Sequence, residues 1–313
     1  MLGLMQDDDD TLFGVVPNFS EGRRTDVIDM IVQALHVPGA RVVYAEADPD
    51  HNRLDTTVLG GADAVRASAM AGAAAAVDLI DMREHTGGHP RMGAADVIPF
   101  MPVSGVTMEA CVELARAFGR ELAETLDVPV YLYDRAALTP ERASLADVRR
   151  GQFEGLREAV ATGERLPDFG PNEIGGAGAT AVGARKPLVA FNVYLDSTDE
   201  AAAKAIASTL RESNGGLTAV RAIGFAVPER GGIVTVSMNL VDHEVTGLRV
   251  AFDEVTRLAT HHGMTVTDSE IVGLVPASAL GSDDIDHLKL AWFDPDRQVL
   301  ERLVDAAEEG TQA

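Results

Sequence analysis

The 313-residue sequence holds one cysteine, Cys111. A single thiol excludes an intrachain disulfide and a cysteine-built metal cluster. Cys111 lies at helical spacing in an apolar stretch, so a buried, inert thiol is expected. No run of 18 or more apolar residues occurs, which leaves no candidate membrane-spanning helix. The start, Met1 to Gln6, lacks the basic region and apolar core of a secretory signal and runs into Asp7, Asp8, Asp9 and Asp10. Residues 1–12 are expected to form a disordered acidic tail. A reducing cytoplasm fits these absences. Lysine is scarce too: Lys186, Lys204 and Lys289 are all there are. With 49 acidic against 26 basic residues the formal charge is −23. Such a surface repels nucleic acid and anionic lipid, so neither is an expected partner. Dispersed acids with so few lysines point to a high-salt cytoplasm, hence a halophilic source, where the Debye length shrinks to ~3 Å at 1 M salt.

What is present is an ordinary globular core. Hydrophobic residues make up 46% of the chain, and its length suffices for two small domains. In the second half, Leu188–Leu195 is strand-like. Thr198 is placed to cap a helix over Asp199–Glu212. Strands near Ala219–Val227 and Ile233–Val241 flank a turn at Glu229–Gly232. A helix over Glu244–His262 and a strand near Thr265–Leu274 complete a β-α-β-β-α-β order, that of a ferredoxin-like unit. The first half starts alike: strand Phe13–Phe19, helix Arg24–Leu35, strands Ala40–Ala47 and Asp55–Leu59, helix Ala62–Met82, strand Asp96–Val103. Helix Thr107–Leu126, strand Val130–Tyr133 and helix Leu145–Ala161 extend it. An amphipathic helix is expected within Asp283–Glu309. The Gly/Pro-rich Pro167–Gly178 segment reads as a linker between halves or as a binding loop. The predicted class is α+β, an α/β sandwich of two ferredoxin-like subdomains with mixed sheets covered by helices, spanning 13–186 and 187–313.

The stretch most informative about chemistry is His85–Phe100, which reads HTGGHPRMGAADVIPF. Two histidines stand among Gly87, Gly88 and Pro90, residues that break regular structure. An imidazole held in such a turn is open to close approach by a substrate. Metal binding by His85 and His89 is disfavoured. Two histidines at this spacing chelate zinc from one helix face, usually with a glutamate between them. Here the residues between are Thr86, Gly87 and Gly88, and no metal is expected. Gly175–Gly178 is no dinucleotide loop either, because Pro167–Pro171 before it is no strand.

Two further segments accompany the histidine loop: Val16–Arg23 (VPNFSEGR) and Gly178–Lys186 (GATAVGARK). Together with His51-Asn52-Arg53, Asp127–Tyr133, Pro167–Pro171 and Ile271–Pro276, in one collinear order from Phe13 to about Leu280, they resemble the formiminotransferase family. That family moves a formimino group from N-formimino-L-glutamate to tetrahydrofolate. The resemblance implies tetrahydrofolate as co-substrate, histidine degradation as setting, and a homodimer. The subdomains 13–186 and 187–313 would be its N- and C-terminal subdomains. Longer relatives carry a fused cyclodeaminase; here a separate cyclodeaminase is expected to take the product. Formyl transfer between 5-formyltetrahydrofolate and glutamate, or non-enzymatic folate binding, are the alternatives.

His89 aligns with the family's catalytic histidine, before Pro90-Arg91-Met92-Gly93. Histidine suits the reaction because one nitrogen must lose a proton and another gain one near neutrality. His85 is the lesser candidate. Both implied substrates are anions. Arg53, Arg91 and Arg185 lie in the matched motifs and are candidates to hold carboxylates. The alternative for each is a structural ion pair, the preferred reading for Arg23. Asn52 would orient a polar group. The resemblance gives folate contact to Gly170, Pro171, Asn172, Glu173, Ile174, Gly175, Gly176, Ala177 and Gly178. An acidic partner is expected at Glu46 or Asp48.

Overall fold

The computed structural model describes residues 11–309, so the acidic-tail expectation lies almost wholly outside the described residues. Two compact units divide at Arg185/Lys186.

In the first unit, Leu12–Val15 (β1) and Asn18–Phe19 (β2) form one interrupted strand. The continuous strand expected over Phe13–Phe19 is broken at Val16-Pro17, because proline has no N–H to give a ladder. The Pro17 carbonyl instead accepts from the Thr56 N–H (3.1 Å) and hydroxyl (2.6 Å). Thr25–Leu35 (α1), Ala40–Asp48 (β3), Arg53–Gly60 (β4), Ala62–Leu79 (α2) and Ala95–Ser104 (β5) follow. The order β3–β4–β1/β2–β5, antiparallel throughout, is ferredoxin-like. Met108–Leu126 (α3), Val130–Asp134 (β6), Leu145–Val148 (α4), Gln152–Ala161 (α5) and Thr180–Ala184 (β7) extend it. β7 lies between β5 and β6, parallel to both, which makes the sheet mixed.

The layer α1, α2 and α3 packs on this sheet. Small residues let α2 approach closely: Ala69, Ala73 and Ala76 are fully buried. A Cβ on Gly72 would lie 2.5 Å from Leu35. Phe19, Ile31, Leu54, Ile98, Phe100 and Phe118 fill the core beneath. Cys111 is buried there, as expected.

Three sequence expectations need correcting here. The single helix over Leu145–Ala161 is two, because Gly151 (φ 83°) and Gln152 (φ 55°) turn the chain left-handed. β7 was not expected from Thr180–Ala184, whose small side chains carry little strand signal. Of the two readings of Pro167–Gly178, the linker is excluded: the segment is packed within the first unit, where Phe169 bridges Val130 and Gly178 bridges Gly93.

The second unit runs Val189–Leu195 (β8), Glu200–Leu210 (α6), Val220–Val227 (β9), Ile233–Leu240 (β10), Leu248–His261 (α7) and Val266–Val272 (β11). The strand order β11–β8–β10–β9 is antiparallel throughout, the ferredoxin-like pattern without a parallel pair. The cap of α6 is Asp199, whose carboxylate accepts from the Ala202 N–H at 3.0 Å, rather than Thr198. α7 starts at Leu248, after Gly247, not at Glu244. The one amphipathic helix expected near the C-terminus is three short ones: Asp284–His287 (α8), Pro295–Gln298 (α9) and Leu300–Glu309 (α10). Pro295 sets the restart, because it fits only the first turn of a helix.

Candidate active site

Asn52 gathers the site. It sits left-handed (φ 51°) in the turn joining β3 to β4 and is 8% exposed. Its Oδ1 accepts from the Gly22 N–H (2.8 Å) and its Nδ2 donates to the Thr86 carbonyl (2.9 Å). Three motifs far apart in sequence therefore meet on one buried amide. Glycine is required where they touch. A Cβ on Gly22 would lie 2.2 Å from the Asp48 carbonyl, and one on Gly87 2.3 Å from that of His51.

The two loop histidines are held differently. His85 Nε2 lies 3.1 Å from the Asn52 carbonyl, which can only accept, so Nε2 carries the proton. Nδ1 then accepts from Arg91 Nε at 3.4 Å. Both ring nitrogens are engaged by the chain. Burial, chiefly, holds His85 below the usual histidine range. In His89, Nδ1 lies 2.7 Å from the Pro90 carbonyl and must be the donor. Nε2 is left as a lone-pair acceptor. Although partly exposed, His89 has its pKa pushed down to about 3. Loss of water contact is the main cause, followed by the Arg53 and Arg149 guanidiniums; Asp96 and the Pro90 carbonyl oppose.

Beneath this loop lies a charged cluster. Asp96, at the start of β5, is fully buried. One oxygen accepts from the Met92 N–H (2.8 Å); the other pairs with Arg53 Nη1 (2.8 Å) and with Arg149. Burial drives the Asp96 carboxyl up, but Arg149, Arg53 and the Met92 N–H outweigh it and hold it below its ordinary range. Arg53 also reaches Asp55 at 2.9 Å. Arg91 grips Glu154 with both terminal nitrogens (2.6 and 2.9 Å) and reaches Gln152 at 2.9 Å. For Arg53 and Arg91, then, the geometry is that of ion pairs that fix the loop. Arg23, expected in an ion pair, instead donates to the Pro49 carbonyl at 2.8 Å.

The Gly170–Gly178 segment abuts the histidine loop. Ala94 N–H donates to the Ala177 carbonyl (2.8 Å), and Ala179 N–H to that of Met92 (3.0 Å). Gly178 (φ 76°) is glycine for packing: a Cβ there would lie 2.3 Å from the Met92 carbonyl. Gly170 (φ 87°) likewise faces the Val128 carbonyl at 2.4 Å. Ile174 is buried, whereas Asn172, Glu173 and Gly175 are exposed and Pro171, Gly176 and Ala177 are half-buried. Nothing lies within 4 Å of a Cβ on Gly175, so its backbone is open to a ligand. Arg185, half-buried, follows β7, and its guanidinium acts on the buried Tyr133 hydroxyl.

The two candidate acids do not meet His89. Glu46 accepts from the Tyr44 hydroxyl. Asp48 pairs with His51 Nδ1 and caps the turn through the Asp50 (2.8 Å) and His51 (3.0 Å) N–H groups. His51 in turn lies edge-on to His89, ring centroids 6.1 Å apart. His51, Asp96, Arg149 and Glu154 are thus site residues that sequence reasoning missed. The signal for His51 was its place before Asn52-Arg53. For Asp96 it was an acid at the head of an otherwise apolar strand. An open groove between α1 and β3, lined by Ile28, Val32, His36 and Ala47 among others, contains none of the predicted site residues.

Comparison with known proteins agrees with these motifs. The model of the formiminotransferase domain, N-terminal subdomain, matches residues 12–185, and that of the formiminotransferase domain matches 190–284. The chain is 42% identical over 300 residues to a glutamate formimidoyltransferase of Thermoplasma acidophilum, covering 95% of this chain and 98% of that one. It is 40% identical over 288 residues to one of Streptococcus pyogenes, covering 91% and 96%. It is 46% identical over 273 residues to the formimidoyltransferase-cyclodeaminase of Rattus norvegicus, covering 85% of this chain and 50% of that one. The chain belongs to the formiminotransferase family.

Proposed function

We propose that the chain is a glutamate formimidoyltransferase. It transfers the formimino group of N-formimino-L-glutamate to N5 of tetrahydrofolate, giving 5-formimidoyltetrahydrofolate and L-glutamate. The observation that carries this reading is His89: neutral near pH 7, its Nδ1–H bound to Pro90, its Nε2 left to accept a proton. Tetrahydrofolate supplies the nucleophilic nitrogen. His89 takes the proton that this nitrogen must lose, a role that needs a neutral imidazole of fixed tautomer. Asn52, Arg53 and Arg91 hold the loop that presents His89. The open backbone about Gly175, with Asn172 and Glu173 exposed beside it, receives the flat folate, and Arg185 meets a substrate carboxylate. The names of relatives matching over nearly their whole length support the same reaction.

The test is His89→Gln. Turnover should fall by ~10²- to 10⁴-fold, the usual contribution of a placed acid–base group. Affinity for folic acid, which cannot react, should stay near that of the parent protein. Near-normal turnover in the variant would remove His89 from this role.

A further inference from the structure

Formimino transfer moves two protons, at two different nitrogens. One leaves the attacking amine; another must reach the departing amine. His89, being neutral, suits acceptance. With its Nδ1–H committed to the Pro90 carbonyl and no proton on Nε2, the neutral ring has none to give, so the proton for the departing amine must come from another group. The neighbouring ring is built differently. Asp48 is fixed by the turn N–H groups of Asp50 and His51 and holds the Nδ1 of His51. That contact places the Nδ1 proton and leaves Nε2 as the working nitrogen. The His51 side chain is 46% exposed, so it exchanges protons with water. Its ring stands at 84° to that of His89, close enough for one amidine carbon and its two nitrogens to meet both.

We propose that His51, oriented by Asp48, is a second catalytic acid–base group, which protonates the departing glutamate nitrogen. The assignment rests on the transferase reading above. The carbon–nitrogen bond to the acceptor forms with the acceptor's electron pair while the amidine C=N π pair moves onto the imino nitrogen, and His89 Nε2 takes the acceptor's proton. The pair on the imino nitrogen then re-forms the C=N bond as the carbon–nitrogen bond to glutamate breaks, that bond's electrons stay on the glutamate nitrogen, and His51 Nε2 supplies the proton. His89 ends protonated and His51 neutral; exchange with water resets both. The titratable and charged groups around His51 are Asp48, which pairs with its Nδ1, Asp50 beside it in the same turn, Arg23 through its bond to Pro49, and the neutral ring of His89.

The experiment compares the parent protein with His51→Gln and Asp48→Asn, using formiminoglutamate and tetrahydrofolate across pH. The expectation for His51→Gln is a ~10²-fold lower kcat. The alkaline limb of its kcat profile, where an acid must be protonated, should disappear, and KM for both substrates should change little. Asp48→Asn should keep the turn, because Oδ1 remains, and yet lower kcat with little change in KM, because the His51 ring is no longer held by a carboxylate. A His51→Gln protein with parental kcat and pH profile would overturn the proposal. So would a loss that is uniform across pH, or one confined to KM, since a structural role gives either. Should His51→Gln fail to fold, a parental kcat in Asp48→Asn would overturn it instead. A parent protein with no turnover would overturn the transferase reading itself and this assignment with it.

Discussion

His85 and His89 lie four positions apart in one loop, and their ring contacts give them opposite duties. His85 is bonded at both nitrogens by Asn52 and Arg91, so it is part of the loop's frame. His89 is bonded at one and keeps the other for a ligand. The difference has a thermodynamic consequence. An unfolded histidine titrates near 6.5, whereas folded His89 stays neutral down to about 3. Between these values the unfolded chain binds the extra proton. The stability due to a neutral His89 is therefore fully present above pH 6.5 and is lost as pH falls toward 3. Urea midpoints measured from pH 7 to pH 5, where carboxylates remain ionised, should fall. They should fall less steeply in His89→Gln; equal slopes would mean that His89 is not held neutral. At this scale the sequence announced His89 well, since Gly87, Gly88 and Pro90 mark an irregular loop whatever the fold. It announced Asp96 and Arg149 poorly. Their pairing spans 53 positions, and no periodicity encodes which buried acid meets which arginine.

Among the elements, Asp96 ties the most together. Through it β4 (Arg53), the end of α4 (Arg149) and the histidine loop (Met92 N–H) are fixed to the start of β5. Removing one member of a buried ion cluster strands the others. Asp96→Ala should cost about 3–5 kcal/mol of unfolding free energy, measured by urea denaturation. A cost under about 1 kcal/mol would mean that water or other groups already satisfy Arg53 and Arg149. Element order was legible where the apolar period was strong. α1, α3 and the strands of both ferredoxin-like units fall within a few residues of expectation. Where side chains are small the signal failed: β7 is threonine, alanine, valine and glycine, and tertiary packing alone makes it a strand. Backbone direction failed too. Nothing in the helical period of Leu145–Ala161 reveals that Gly151 turns left-handed and lets Phe153 N–H meet the Arg91 carbonyl at 2.9 Å.

Across the whole chain the dominant property is charge. At −23 with three lysines, self-repulsion acts on every compact state. Salt also weakens surface pairs such as Lys204–Glu200, but each of these is worth at most about 1 kcal/mol. Repulsion summed over the surface should outweigh them. The melting temperature should therefore rise from low to molar KCl as screening shortens the Debye length to ~3 Å. A flat or falling curve would show that the acids are already balanced locally. The chain's function is tested more directly by asking where the formimino group goes. Glutamate release from formiminoglutamate should be followed with and without tetrahydrofolate, in the purified protein. The account predicts release only when tetrahydrofolate is present, matched mole for mole by a formimidoylated folate. Glutamate released at the same rate without folate would mean that water is the acceptor, and would contradict the transferase reading.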